Sequence, residues 1–305
     1  MPRAPKKRVV AALGLNQIFS SLTHIIAKGA VAAIGPLAVA LIRFTIASAT
    51  LLVYQRLRGG MAIARGDRIK LVILGFFVVP INQGFFLFGL SRSTASHASL
   101  LYALTPLFVL FMARQMLGER SIGSKLFGTL VAFAGVAIIL FERGLRNEMG
   151  VLVGDLMILV AVFAWAAYTV LAKRLVERYD AMTVTTWAIV SGTVMCLPGF
   201  LIPGAIPPLR SIDPGAWGGI LYLSIGTSVI AYPLYMYALR HLEASKVAVT
   251  TNVQPILTAV LSRVIFGERF TPGFVVGALL VLAGVTWVET RKPSAPTAAA
   301  LTESA

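Results

Sequence analysis

The residues best suited to do chemistry are an arginine and a set of amides inside long apolar stretches. Arg43 lies within the apolar stretch 36–55, and no Asp or Glu is found at a comparable depth. An ionisable residue in such a stretch is costly and is a functional hypothesis by default. Two roles follow for Arg43: it recognises an anionic group such as a carboxylate, or it bonds backbone carbonyls or a neighbouring helix as a structural residue.

Three pairs of amides share this setting, and they are too polar to face lipid at low cost. They are expected to bind a substrate or to hydrogen-bond one helix to another. The six amides are Asn16 and Gln17, Asn82 and Gln83, and Asn252 and Gln254. Three aromatic residues are predicted either to line a cavity or to pack in the core, namely Trp165, Tyr168 and Tyr232.

Prolines and charged pairs mark positions where the chain could move. Pro106 and Pro255 are predicted at mid-helix, where proline removes a backbone hydrogen bond and bends the helix, as a hinge or as a static kink. Two Glu-Arg pairs are predicted at helix ends, as interfacial salt bridges or as pairs that close a gate. These gate candidates are Glu119, Arg120, Glu268 and Arg269.

Motifs for covalent and metal chemistry are missing from the sequence. There is no G-x-x-x-x-G-K-[ST] loop for ATP, no H-E-x-x-H and no G-x-S-x-G. The three histidines, His24, His97 and His241, are scattered without metal-ligand spacing. Cys196 is the one cysteine, so it forms no intramolecular disulfide and is interpreted as a small packing residue. We therefore expect no catalytic residue, no metal and no cofactor.

Composition places the chain in a bilayer. Of 305 residues, 57% are hydrophobic and 13% are charged, whereas a soluble domain has about 25% charged residues. The net charge of +15 could suggest a nucleic-acid partner. However, Lys and Arg lie in short gaps between apolar runs, which is the pattern of a membrane protein rather than of a nucleic-acid binder. The lipid bilayer is thus an expected partner and nucleic acid is not.

Ten apolar runs are long enough to cross about 30 Å of hydrocarbon, which takes about 20 residues. The fold class predicted is an all-α polytopic membrane protein. The first run is too long for a signal peptide, so it is predicted to remain as an uncleaved helix. Residues 291–305 are predicted to form a disordered cytoplasmic tail. The predicted spans are 9–28, 36–55, 70–90, 96–117, 122–141, 151–172, 183–202, 216–239, 245–266 and 272–290.

The distribution of positive charge predicts the orientation. With a cytoplasmic N-terminus and ten crossings, the inside segments hold nineteen Lys and Arg residues and the outside segments seven. Positive residues accumulate on the cytoplasmic side. Both termini are therefore predicted in the cytoplasm, with the chain in a bacterial inner membrane.

An internal repeat is the strongest functional signal. Shifting the chain by 149 residues places 85–136 on 234–285 without a gap, with thirteen of 52 positions identical. The identities fall on residues with special backbone or charge roles, so duplication explains them better than chance. They include Pro106 with Pro255, Gly118-Glu119-Arg120 with Gly267-Glu268-Arg269, Gly128 with Gly277, and Gly135 with Gly284.

Duplication predicts two units, 1–148 and 149–290, with five crossings each. Because five is odd, the second unit must be inverted relative to the first. Inverted repeats are common in secondary transporters, where the substrate site lies near the midplane between the repeats.

The repeated unit, with Pro106, Gly118-Glu119, Gly128 and Gly135 and their second copies, resembles the EamA-type carriers of the drug/metabolite transporter superfamily over roughly residues 9–290. The resemblance implies a ten-helix inverted-repeat carrier of metabolites, often an exporter of amino acids or related compounds. We expect a secondary transporter of small solutes, with export as the favoured direction and a homodimer as an open alternative. An intramembrane enzyme, a channel and a scaffold protein are the competing interpretations.

Overall fold

The computed structural model describes residues 6–60, 62–118, 126–145 and 148–290. All regular secondary structure in these ranges is helical. The α-helices are α1 (Lys6–Ile34), α2 (Pro36–Leu57), α3 (Arg65–Phe76), α4 (Phe85–Arg92), α5 (Ala95–Tyr102), α6 (Thr105–Leu117), α7 (Leu126–Leu145), α8 (Met149–Arg178), α9 (Ala181–Cys196), α10 (Pro214–Leu221), α11 (Tyr232–His241), α12 (Ala244–Val249), α13 (Gln254–Phe266) and α14 (Pro272–Thr290).

Eight helical stretches of the described residues are long and apolar enough to cross a bilayer. They coincide with eight of the ten predicted spans, and the all-helical class is confirmed. The other two predicted spans, 122–141 and 272–290, correspond to α7 and α14. Their apolar parts within the described ranges, Leu130–Ile139 and Pro272–Trp287, are shorter, at 10–17 residues.

Four of the eight stretches are interrupted near their middle. A π-helical segment, Phe77–Gly84, joins α3 to α4, and a second one, Tyr222–Ala231, joins α10 to α11. A two-residue break separates α5 from α6, and the 3₁₀ segment Thr250–Val253 separates α12 from α13. The 149-residue shift places 95–117 on 244–266, and it makes the two π segments overlap. The interruptions therefore occur at related positions of the two units.

The two prolines of the repeat lie at these interruptions and not in the middle of continuous helices, which corrects the expected mid-helix kinks. Pro106 is the second residue of α6, and Pro255 is the second residue of α13. The first turn of a helix has N–H groups without intrahelical partners, so proline is tolerated there without loss of a hydrogen bond. Each proline begins a new helical segment after the break.

Helices from the two sequence halves are exchanged in the packing. The long helix α1 packs against α10, α11 and α13, while α8 packs against α4, α5 and α6. The crossing of α4 and α8 is close, because a Cβ added at Gly89 would lie 2.7 Å from the carbonyl oxygen of Gly154. The first helix of each half thus lies on the third and fourth spans of the other half.

The apolar core has two main clusters at opposite ends of the helices. One contains Val9, Leu51 and Leu175, at the start of α1 and the ends of α2 and α8. The other contains Ala27 and Leu90, at the opposite ends of the first and third spans. Most of the buried polar side chains described below lie between these clusters.

Helices α7 and α14 cross through glycines that the repeat relates to each other. A Cβ at Gly135 would lie 2.6 Å from the Gly277 carbonyl oxygen, and a Cβ at Gly277 would lie 2.7 Å from the Gly135 carbonyl oxygen. Gly284 meets Gly128 in the same way. Small residues allow the backbones of membrane helices to approach closely. Glycines that are identical in the two copies of the repeat thus form this close crossing.

The Gly-Glu-Arg motif begins with a glycine in the left-handed region at a helix C-terminus. Gly118 follows α6 with φ 70°, and Gly267 follows α13 with φ 64°. Glycine adopts this conformation without a Cβ clash, which explains why both copies keep it. Glu119 and Arg120 lie outside the described residues.

We expect Gly135→Val to destabilise the fold, because the new side chain has no room between α7 and α14. Overpacking of this kind costs about 1–3 kcal/mol, so thermal unfolding in detergent should shift downward by several degrees. Gly14→Val is the matched control, since a Cβ at Gly14 on α1 would meet nothing within 4 Å. Equal melting temperatures for the two variants would contradict the close α7–α14 crossing.

Candidate functional site

A small polar cavity lies where the four interrupted spans meet α1 and α8. Its volume is about 60 Å³, which is room for roughly four water molecules. Five residues predicted to bind substrate line it, namely Asn16, Gln83, Trp165, Tyr232 and Gln254. The structure also places His24, Tyr102, Tyr235 and several Ser and Thr side chains in its wall.

Asn16 and Gln17 of α1 belong to a chain of side-chain hydrogen bonds that crosses between the sequence halves. Asn16 Nδ2 donates to the Ala231 carbonyl oxygen at 2.9 Å, and Gln17 Nε2 donates to Asn16 Oδ1 at 3.0 Å. Gln17 Nε2 also donates to Thr250 Oγ1 at 2.8 Å. Gln254 Nε2 in turn donates to Gln17 Oε1 at 2.8 Å. These amides therefore tie α1 to the interrupted spans of the second half.

A second chain starts at Asn82 and ends at Arg43. Asn82 Nδ2 donates to the Ala161 carbonyl oxygen and to the Tyr102 hydroxyl, both at 2.7 Å. Gln83 Nε2 donates to Asn82 Oδ1 at 2.6 Å, and Arg43 Nη1 donates to Gln83 Oε1 at 2.8 Å. The π-helical segment that carries Asn82 and Gln83 thus positions the Arg43 guanidinium through hydrogen bonds.

Arg43 is fully buried, with 0% of its surface exposed. Its Nε donates to Ser228 Oγ at 3.2 Å, and its guanidinium carbon lies 4.8 Å from the centroid of the Phe44 ring. Nη2 has no hydrogen-bond partner. Within the described ranges, no carboxylate forms an ion pair with this guanidinium. The arginine is therefore a buried cation with one donor group unused.

Aromatic rings form one side of the cavity wall. The Trp165 ring centroid lies 5.2 Å from that of Tyr232 and 5.3 Å from that of Tyr235. Tyr168 is also 5.3 Å from Trp165, but it is fully buried behind the wall. Trp165 and Tyr232 thus face the cavity, and Tyr168 packs in the core.

Four other predicted site residues lie beside the cavity without being part of its wall. Asn82 uses both amide hydrogens and its oxygen within the second chain, and Gln17 is similarly committed to the first. Arg43 reaches the wall through Gln83. Asn252 is half-buried in the 3₁₀ segment. Gln17, Asn82 and Arg43 therefore support the wall through hydrogen bonds, and Arg43 is the charged residue of the three.

Of the four gate candidates, the structure describes Glu268 and Arg269. Glu268 Oε1 accepts a hydrogen bond of 3.1 Å from the backbone N–H of Ala95, the first residue of α5. A carboxylate is stabilised at this helix end because the N-terminus carries partial positive charge. Arg269 is exposed, and Glu119 and Arg120 fall outside the described residues. The Glu268 contact joins the second half to the first.

Two lysines were used in the sequence analysis only to predict membrane orientation. In the structure, each donates hydrogen bonds to carbonyl oxygens at or near the C-terminus of a helix. Lys28 Nζ donates to the carbonyl oxygens of Leu90 and Ser93, at 2.9 and 2.6 Å, at the C-terminus of α4. Lys173 Nζ donates to the carbonyl oxygen of Leu239, at 2.8 Å, near the C-terminus of α11. Leu90 and Leu239 are identical positions of the 149-residue repeat. Each lysine therefore binds the negative end of the third span of its own half.

His24 was not predicted as a site residue from the sequence, although its spacing from other polar residues of α1 indicates a shared helix face. Gln17, Ser21 and His24 are separated by four and three residues, and Asn16, Ser20 and Thr23 by the same intervals. Such spacing places polar side chains on one side of a helix. The structure shows Asn16, Ser20, Thr23 and His24 together in the cavity wall.

Buried carboxylates secure both ends of α8. Asp155 is fully buried and accepts hydrogen bonds from the Ser93 hydroxyl and from His97 Nδ1, the latter at 2.9 Å. At the other end, Arg178 Nη1 donates to Asp67 Oδ2 at 2.6 Å. These contacts fix α8 of the second half on the third and fourth spans of the first half.

Comparisons with known proteins agree with this architecture. The sequence profile of the EamA-like transporter family matches residues 9–141 and 152–290. The chain is 30% identical over 277 residues to an uncharacterized transporter of Archaeoglobus fulgidus, covering 90% of this chain and 94% of that protein. It is 27% identical over 257 residues to a probable terminal-alkyne amino-acid exporter of Streptantibioticus cattleyicolor, covering 84% and 85% of the two chains.

A solved crystal structure shares the fold. It superposes with a TM-score of 0.67 at 19% sequence identity, over 93% of this chain and 98% of the other. The helical bundle and the names of the relatives indicate a multi-pass membrane protein of a transporter class. The chain belongs to the EamA-like transporter family.

We expect Asn82→Ala to lower thermal stability more than Asn252→Ala does. Asn82 is fully buried with three side-chain hydrogen bonds, each worth about 0.6 kcal/mol between membrane helices. Asn252 is half-buried, so water can replace part of the hydrogen bonding that is lost when its amide is removed. Fluorescence-detected size exclusion after heating measures the difference, and equal losses would contradict the structural role of Asn82.

Proposed function

We propose that the chain is a secondary transporter that exports small metabolites, such as amino acids or related compounds, across a bacterial plasma membrane. The observation that carries the proposal is the buried Arg43, whose Nη2 has no partner and whose Nη1 is held against the cavity wall by Gln83. A buried cation without a counter-ion is unfavourable. An anionic solute group would relieve this cost, so a carboxylate is the group we expect in the cavity.

We propose ten transmembrane helices in two inverted five-helix repeats, with α7 and α14 as the fifth and tenth. The related interruptions, the reciprocal glycine contacts of α7 and α14 and the two matched ranges of the family profile support this arrangement. The excess of Lys and Arg on one side supports cytoplasmic termini, including the tail 291–305.

The exchanged packing suggests which bodies move during alternating access. Because α1 lies on α10, α11 and α13, it moves with the second half, and α8 moves with α4, α5 and α6 of the first. The cavity lies between these two bodies. Relative rocking would open it to one side at a time, as inverted repeats allow.

Lys28 and Glu268 join the two bodies on the proposed outer side, and Lys173 joins α8 to α11 on the inner side. In this proposal, these contacts hold the two bodies together on each side of the cavity of about 60 Å³. Release of one set would open the corresponding side. This assigns gate roles to Lys28 and Lys173 in addition to Glu268.

Flux measurements in proteoliposomes test the transport proposal. Wild-type protein should move carboxylate-bearing metabolites with saturable kinetics, which separates a carrier from a channel. Arg43→Lys keeps the charge but removes the planar fork that holds a carboxylate. Because hydrogen bonds to charged groups contribute about 1.5–3 kcal/mol, its kcat/KM for such solutes should fall tenfold or more, while Arg43→Gln should shift preference toward neutral analogues.

Arg58→Lys is the matched control, since Arg58 is exposed at the end of α2 and stacks on Tyr54. It should leave flux unchanged. If Arg43→Lys and Arg43→Gln insert and fold normally yet transport like wild type, the carboxylate site is wrong. If flux falls only in proportion to folded protein, Arg43 is a structural residue.

Accessibility of the cavity tests the gates. In a Cys196→Ser background, Ser20→Cys places a thiol in the cavity wall, where a membrane-impermeant maleimide reports opening. We expect Lys28→Met to increase labelling from outside the cell severalfold, and Lys173→Met to increase labelling from the cytoplasmic side. Each substitution removes one bridge between the two bodies.

Lys246→Met serves as control, because Lys246 is exposed and pairs only within its own helical turn, with Glu243. It should not change labelling. Increased labelling from the same side for both gate variants would contradict the inverted arrangement.

A further inference from the structure

Among the described residues that line the cavity, His24 has a buried ring nitrogen for which the structure shows no hydrogen-bond partner. The side chain is buried, and its ring lies edge-on to Phe86 and Tyr102, at centroid distances of 5.5 and 5.4 Å. Nε2 lies 3.3 Å from Gln254 Oε1. Nδ1 has no hydrogen-bond partner.

The orientation of every amide leading to His24 follows from a backbone carbonyl. Ala231 O can only accept, so Asn16 must present Nδ2 to it and keep Oδ1 as an acceptor. Gln17 must then direct Nε2 at Asn16 and keep Oε1 as an acceptor. Gln254 therefore directs Nε2 at Gln17, which leaves its Oε1 facing the imidazole.

This order of donors and acceptors determines the tautomer of His24. Because Gln254 Oε1 accepts, His24 Nε2 must carry the hydrogen and donate. In a neutral imidazole the second nitrogen is then an acceptor with no hydrogen of its own. The first amide chain thus ends in an unused, buried acceptor on His24, a residue that lines the cavity.

The second chain ends with the opposite polarity. It too begins at a backbone carbonyl, that of Ala161, and continues through Asn82 and Gln83 to Arg43. Its last residue offers an unused donor, Nη2 of the guanidinium. Among the described residues, the two chains therefore leave a buried positively charged donor, Nη2 of Arg43, and a buried neutral acceptor, Nδ1 of His24, without a partner.

We propose that His24 is a specificity-determining residue whose Nδ1 accepts a hydrogen bond from an ammonium or N–H group of the transported solute. The inference rests on the proposed function, in which Arg43 receives the carboxylate of the same solute. Together the two residues select solutes that carry a carboxylate and a nitrogen donor. A carboxylic acid without the donor would leave Nδ1 buried and unpaired, which disfavours its binding.

The test uses wild-type protein in proteoliposomes and a panel of the twenty common L-amino acids, each compared with its deamino carboxylic acid. The deamino acid is smaller, so it meets no new steric obstacle. For the amino acid with the highest flux, the preference over its deamino analogue should be about tenfold or more, since one hydrogen bond to a charged group accounts for a factor of this size.

Two substitutions separate the ring nitrogens. His24→Gln reaches the Nε2 position and keeps the bond to Gln254 but offers no acceptor at Nδ1, so the preference should fall about tenfold. His24→Asn keeps an acceptor close to the Nδ1 position and should retain most of the preference. His241→Gln, in the last turn of α11 and outside the cavity wall, is the control and should behave as wild type.

A wild-type protein that transports the amino acid and its deamino analogue equally well would overturn the role of His24, whether or not the variants fold. Folded His24→Gln with the wild-type preference would overturn it as well. If no amino acid of the panel is transported above empty vesicles, the proposed function fails and the His24 role fails with it. Flux with an unchanged preference removes the His24 role alone.

Discussion

In a protein that crosses a bilayer, a buried polar group must find its partner inside the protein, because the hydrocarbon offers none. Among the described buried atoms that lack a hydrogen-bond partner, Nη2 of Arg43 is the one that belongs to a permanently charged side chain. Arg43 is fully buried and is held by Gln83 and Ser228 instead of a carboxylate. Its charge is therefore positioned but not neutralised. The π-helical segment carries Asn82 and Gln83, and these amides hold the guanidinium in place. Gln83 also lines the cavity, so it links the buried charge to the cavity wall.

Both amide chains have the same construction, although they occur on different helices. Each starts at a backbone carbonyl, passes through an Asn-Gln dipeptide and ends at a side chain near the cavity. Because a carbonyl only accepts, the direction of each chain is determined from its first bond onward. One chain ends in a donor and the other in an acceptor. A solute with both kinds of group would complete the two chains at once.

The exchanged helices determine which elements share the cavity wall. α1 carries Asn16, Gln17 and His24 and packs on the second half, whereas α8 carries Trp165 and packs on the first. The cavity wall thus combines side chains from both halves of the sequence. The interruptions in four spans lie next to it, where weaker backbone bonding allows local change. Lys28 and Lys173 lie farther out, at helix ends whose carbonyls have no intrahelical partner.

Sequence alone determined the all-helical membrane class, eight spans and the family, because apolar length and the spacing of special residues are properties of the chain itself. It also identified Arg43 and five residues of the cavity wall, since polar side chains in apolar runs are costly wherever they fold. The positions of Pro106 and Pro255 at helix starts were decided by tertiary structure, because a break and a kink have the same local sequence. Contacts of Lys28, Lys173 and His24 likewise join residues more than sixty positions apart, and only the tertiary packing of the helices brings them together.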